Sequence, residues 1–447
     1  MAEQPMNQVA EPETAAASAK PELSELSEER TAFFRPNTVG IYIQVPFCQT
    51  KCTYCNFHTG VASPAAYAPY ARAVEREIRD WRALHAAAGI QSGDLFSREK
   101  PLDGQAFFAL DNPQAGLLSN SIYLGGGTPS LFEPADLARL LEAVRSRFGV
   151  AAGTEITLEA DPETITPEKA AAWRAAGINR ISLGAQSFHD AELKSAGRMH
   201  RRADIFSAIE RLRSLGFANI SLDLIAGLPH QTPASWRESV EQALQLRPEH
   251  ISIYLFEIDE GSRLGRELLS GGARYSAEAV PSDDAMAESY EFACERLARA
   301  GYEHYEISNW ALPGFRSRHN LKYWRREPYL GFGAGAHSFD GRRRWANAHD
   351  PAAYAAAIEQ GRLPVEQLEE VTPRQALEEE LFLGLRQLEG IDLAEIEAQY
   401  DAQHHAKLGA RIEELRAQGL VEREGTRVRL APARLAVSNE VFVALLD

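Results

Sequence analysis

From residue 41 onward the chain alternates short apolar runs with longer stretches of helical periodicity, and the apolar runs number six. They cover residues 41–45, 121–124, 155–159, 179–183, 219–224 and 250–255. Helical segments follow over 65–86 and 134–147, from Thr166-Pro167, up to Gly216, and over 233–246. The Thr-Pro pair is a favourable N-cap and first-turn combination. Alternation of this kind builds parallel strands joined by right-handed crossovers. Two architectures satisfy it: a TIM-like barrel, complete or partial, and a doubly wound open sheet.

The placement of polar signals separates the two. Cysteines follow the first run and a glycine run, 125–127, follows the second; Glu159, Gln186 and Asp223 lie in or just after the third, fourth and fifth. Barrels assemble their sites at this rim from many strands, whereas a doubly wound sheet concentrates its ligand at one switch point. The spread predicts an α/β fold, a partial TIM-like (β/α)6 barrel over 36–310.

The rest of the chain divides by composition. Residues 1–35, rich in Ala, Glu, Pro and Ser, read as a disordered tail. Residues 87–120 lack periodicity and read as a long insertion, 262–282 as an irregular connection, and 311–369 as a connecting region. After 370, amphipathic helices near 374–388 and 405–418 precede a hairpin around Glu424-Gly425, which predicts a C-terminal α+β winged-helix-like domain over 370–447. That segment is acidic, so packing or covering a substrate is expected of it rather than DNA binding.

A net charge of −16 argues against a nucleic-acid partner, and Arg342-Arg343-Arg344 reads as a solvated turn. No apolar run reaches the length of a membrane span, no basic-then-apolar leader opens the chain, and four cysteines offer no disulfide framework. A cytoplasmic location is expected.

Three of those cysteines fall within ten residues: Cys48, Cys52 and Cys55; the fourth, Cys294, sits among apolar residues of a helical stretch and reads as core. One short loop can offer three thiolates to a single iron–sulfur cluster, which usually takes four. Three ligands leave one iron open to bind a substrate. On the triplet alone, zinc with His58 as a fourth ligand remains open. The glycine run 125–127 permits a tight turn close to a ligand, with amide and carbonyl groups left bare for hydrogen bonding.

The triplet's spacing, with an aromatic residue just before the third cysteine, resembles the radical S-adenosylmethionine (SAM) superfamily. There SAM chelates the open iron and is cleaved to a 5′-deoxyadenosyl radical. The stretches 42–57 and 125–129, with Glu159-Ala-Asp-Pro162, Gly184-Ala-Gln-Ser-Phe188 and Asp223-Leu-Ile-Ala-Gly-Leu-Pro229, resemble oxygen-independent coproporphyrinogen oxidases, and within them the haem-chaperone branch. The resemblance implies a 4Fe-4S cluster on Cys48, Cys52 and Cys55, with Tyr42 beside bound SAM. It implies SAM contacts from Gly126, Gly127, Thr128 and Glu159, with Gln186, Arg198 and Asp223 lining the same cavity. Carboxylates suit ribose hydroxyls and a cationic ligand, and Arg198 suits a carboxylate.

Two features separate the branches. The decarboxylating enzymes carry a fourth cysteine where this chain has Phe57. The stretch His319-Asn320-Leu-Lys-Tyr323-Trp324 resembles the HNxxYW element associated with haem binding. It implies haem ligation by His319, with Asn320 in the same element and with Tyr323 and Trp324 over the macrocycle; His304 and His337 are further candidate ligands. The implied function is to bind haem and pass it to an acceptor haemoprotein, with peripheral membrane contact where delivery requires it. The alternative is oxidative decarboxylation of coproporphyrinogen.

Overall fold

Six strands pair side by side in the order in which they occur in the chain: β1 (Thr38–Val45), β2 (Leu118–Gly126), β3 (Val150–Ala160), β4 (Arg180–Gln186), β5 (Ile220–Ala226) and β6 (His250–Leu255). Every neighbouring pair among them is parallel. Sequential order without reversal is the winding of a barrel; a doubly wound sheet would reverse direction at a switch point. This computed structural model describes residues 38–87 and 117–446. The tail expected over 1–35, and all but the ends of the insertion expected over 87–120, lie outside the described residues.

The strands form because their sequences satisfy both faces. In β1, Val39, Ile41, Ile43 and Val45 are fully buried on one face, and the period of two sends Tyr42 and Gln44 to the other. The outer face is covered by helices such as Tyr67–Arg79 and Pro134–Phe148, whose apolar residues join the same core. Thr166 caps the helix Pro167–Ala175 by accepting the Lys169 amide, as its sequence predicts. The helix expected over 65–86 is divided into Tyr67–Arg79 and Trp81–Ala87, with Asp80 as the cap that ends the first.

The barrel is partial. The sheet has 12 strands and stays open, with Val365–Glu370 at one edge and Glu303–Glu306 at the other. Residues expected as a connecting region extend it: Tyr329–Phe332 runs parallel to β1, and His337–Phe339, Arg343–Asn347 and Val365–Glu370 follow antiparallel. On the far side Asn309–Ala311 pairs antiparallel with β6. The C-terminal domain carries helices Pro373–Arg386 and Leu408–Ala417 and a three-stranded sheet whose hairpin turns at Gly425, φ +63°. Its buried Leu381, Ile391 and Val441 belong to the same apolar core as the barrel. Among the described residues, no helix is long and apolar enough to cross a membrane.

Candidate cluster and cofactor site

The loop after β1 is held at both flanks. Thr53 donates its amide to the Ala196 carbonyl at 3.0 Å and accepts the Leu264 amide at 2.8 Å, tying the loop to the segments after β4 and β6. Phe47–Cys48 also pairs with Gly60–Val61. Cys48, Cys52 and Cys55 are free, half-buried, and line one cavity of about 520 Å³ at the C-terminal ends of the strands. Burial pushes the Cys48 and Cys55 thiols up, and each is raised further by a neighbouring thiol of the trio. An iron cluster supplies the positive charge that buried neighbouring thiolates lack.

The donor set fits a cluster rather than a bare ion. Among the described residues, no three His, Cys, Asp or Glu side chains are gathered closely enough for one metal ion. In a cluster each thiolate takes a separate iron, so no such convergence is needed. His58, the fourth zinc ligand the triplet left open, does not line the cavity; its ring lies 4.4 Å from that of His349.

The glycine turn rises against this loop. A Cβ on Gly127 would press on the Phe47 carbonyl and stand 2.9 Å from Cys48 Sγ. Gly126 has φ +113°, and a Cβ there would meet the Gln44 amide. The expectation of bare amides does not hold. Gly126 N–H donates to Glu159 Oε2 at 2.9 Å, Gly127 N–H to the Val45 carbonyl at 2.7 Å, and Thr128 N–H to the Phe47 carbonyl at 2.8 Å. The turn must be fastened to its neighbours to stay in place, and its amides do the fastening.

Charged groups complete the wall. Glu159 accepts from the Tyr123 hydroxyl at 2.8 Å as well as from Gly126. Burial raises its carboxyl to about 7, with Asp223 and Asp161 adding to the push and the hydrogen bonds opposing it. Asp223 is likewise raised by burial; one oxygen accepts from Ser182 at 3.2 Å, and the other is buried without a partner. Burial works against the Arg198 guanidinium, but its ion pair with Asp161, joined by Tyr54 and Cys52, more than offsets this and raises it; it also donates to the Gly184 carbonyl at 3.0 Å. Gln186 lies at a register shift between β4 and β5 with φ +64°, left-handed backbone that costs a non-glycine residue about 1–2 kcal/mol.

Gly126, Gly127, Thr128, Glu159, Gln186, Arg198 and Asp223 thus line the cavity that holds the three cysteines. Sequence reasoning missed Asp161, which bridges Arg198 and the Thr128 hydroxyl (3.3 Å) and stood inside a motif already singled out. It also missed Arg386, Ser438 and Asn439, by which the C-terminal domain walls the same cavity; no local pattern marks them.

Other expected residues lie elsewhere. Tyr42 does not line the cavity: its hydroxyl donates to Gln44 Oε1 at 2.6 Å, and its ring stacks on Tyr123 and on His319. His319, Asn320, Tyr323 and Trp324 occupy the helix Arg318–Trp324, also outside the cavity lining. His319 is buried, with Nδ1 2.9 Å from the Ser121 hydroxyl and Nε2 3.0 Å from the Tyr323 hydroxyl. Burial, with Lys322 and Arg180, lowers its imidazole to about 3. Asn320 N–H donates to the Ser317 hydroxyl at 3.4 Å, and the Arg386 guanidinium covers the Trp324 ring at 4.4 Å. His304 stacks on Trp310 at 4.0 Å, and His337 is exposed on another strand.

A family model described as the Radical SAM superfamily matches residues 114–243, and one described as the HemN C-terminal domain matches 371–433. The heme chaperone HemW of Bacillus subtilis (strain 168) is 32% identical over 406 residues, covering 91% of this chain and 98% of that protein. The heme chaperone HemW of Escherichia coli (strain K12) is 34% identical, covering 67% of this chain and 69% of the relative. Among solved structures, the Escherichia coli coproporphyrinogen III oxidase HemN, a radical SAM enzyme, superimposes with a TM-score of 0.74 at 22% identity, covering 94% of this chain and 93% of that one. That likeness speaks for the shared fold. By these matches the chain belongs to the radical SAM superfamily, in the HemN-like group together with the HemW proteins.

Proposed function

We propose that this chain is a cytoplasmic protein that binds haem and passes it to an acceptor haemoprotein, with a 4Fe-4S cluster on Cys48, Cys52 and Cys55 and SAM in the adjoining cavity. One observation carries the reading. The cavity holds three cysteines, and Phe57, two-thirds exposed at its rim, occupies the position of a fourth. Relatives that this chain matches over most of their length are named heme chaperones.

When bound, such a cluster supplies the single electron that cleaves SAM. The chain's own residues would hold the ligand. Glu159, poised near neutrality by burial, becomes a carboxylate when a cationic amino group lies beside it. The unpartnered oxygen of Asp223 offers an acceptor to a ribose hydroxyl, and Arg198 offers its charge to a carboxylate.

The test is an anaerobic reaction of cluster-loaded protein with SAM, a reductant and coproporphyrinogen, read by mass spectrometry beside haem transfer to an apo-haemoprotein. Transfer without loss of carboxyl groups is expected. Stepwise loss of two carboxyl groups would make the protein a decarboxylating dehydrogenase and overturn the reading.

A further inference from the structure

Three imidazoles gather around the cysteine loop without lining its cavity. The rings of His58 and His349 lie 4.4 Å apart, tilted by 41°. His337, on the surface of the neighbouring strand, is partly shielded from water, and that shielding, then His349, Arg344 and His58, holds it below the ordinary histidine range. His349 Nδ1 is buried without a hydrogen-bond partner. Other histidines are spent inside the protein: His319 and His250 engage both ring nitrogens, and His85 and His200 each meet a backbone carbonyl.

The surroundings indicate what these rings would bind. Among the described residues, no three ligating side chains converge on one point, so a bare cation finds an incomplete shell. Haem iron brings four nitrogens of its own and needs only one or two more ligands. On the same loop, Phe57 is 66% exposed and Val61 63% exposed, apolar surface suited to a macrocycle. Lys51 donates to the Thr59 carbonyl at 3.3 Å, placing a cation beside His58 for a propionate.

We propose that haem docks on this face of the cysteine loop, its iron ligated by an imidazole of the His58–His349 pair and its macrocycle against Phe57 and Val61. The proposal rests on the haem-binding reading above. It seats the haem on the peptide segment that carries Cys55, so that cluster state and haem hold bear on one loop.

The test titrates haemin into the cluster-loaded full chain, comparing wild type with His58→Ala, His349→Ala and the double variant. Soret difference spectra and electron paramagnetic resonance of the ferric haem are the readouts, and iron–sulfide content is the check on integrity. The double variant is expected to bind haemin at least about tenfold more weakly, to lose the imidazole-ligated signal, and to keep its cluster; exposed His58 makes the single variant safe for folding. Equal titrations of wild type and double variant overturn the proposal while leaving haem binding itself standing. No haemin uptake by wild type overturns both. A parallel Ni²⁺ titration distinguishes the remaining source: loss of nickel binding with unchanged haemin binding marks a free-ion site and overturns the haem assignment.

Discussion

Arg198 Nη1 lies 3.6 Å from Cys52 Sγ while its other nitrogen pairs with Asp161. A fixed cation there offsets the negative charge of a sulfur that ligates iron as thiolate. Because Asp161 orients the guanidinium, the charge is aimed at the sulfur rather than at solvent.

Arg198→Gln should therefore weaken retention of the cluster about tenfold, the usual scale for groups that support metal ligands from behind. Iron release to a chelator, followed by absorbance, measures it. Release at the wild-type rate would mean that the guanidinium serves only Asp161.

Gly127→Ala tests the close approach of the glycine turn. The added methyl group meets Cys48 and the Phe47 carbonyl, which overpacks the site at about 1–3 kcal/mol. Iron content should fall in protein whose circular dichroism is unchanged; full iron content would show that the turn can yield.

Acidification should act through His319. Its folded pKa is about 3 against an ordinary 6.5, so unfolding takes up a proton between those limits. The stability this group contributes is present above pH 6.5 and is lost towards pH 3, at no more than about 1.4 kcal/mol per pH unit. The advantage of wild type over His319→Gln in urea denaturation should shrink as pH falls through this window. A constant difference would mean that the imidazole titrates normally.

Arg386→Ala should cost about 3 kcal/mol, because it removes the cation beside Glu306, whose carboxyl burial already pushes up and which keeps Asn309 and the Ser308 amide as partners. The pair meets at 2.9 Å, and the Glu306 side chain is fully buried. Adding Glu306→Gln should recover much of the loss in urea denaturation; additive losses would show that the two residues are not coupled.

The site was legible where its parts are neighbours in the chain. Cys48, Cys52 and Cys55 share a loop, and Gly126, Gly127 and Thr128 share a turn, so spacing alone brings them together. Glu159, Gln186 and Asp223 were legible because parallel winding carries every strand end to one rim. Tyr42 was not: the period of two turns it towards the same interior, but its ring was drawn into a stack with Tyr123 and His319 rather than to the cavity. His319 likewise carries a ligand's chemistry, yet two hydroxyls, one of them on a strand nearly two hundred residues earlier, take up both nitrogens.

By itself the sequence determined the strand–helix alternation, the winding that follows from it, and the chemistry concentrated in the cysteine loop. These rest on periodicity and covalent proximity, which act over a few residues. Tertiary structure alone decided that Asp161 would aim Arg198 at Cys52, that Arg386 and Asn439 would wall the cavity, and that His58 would lie against His349. Each of those contacts joins segments far apart in the chain. Their closing depends on which surfaces the packed core presents to one another, and no local pattern encodes that choice.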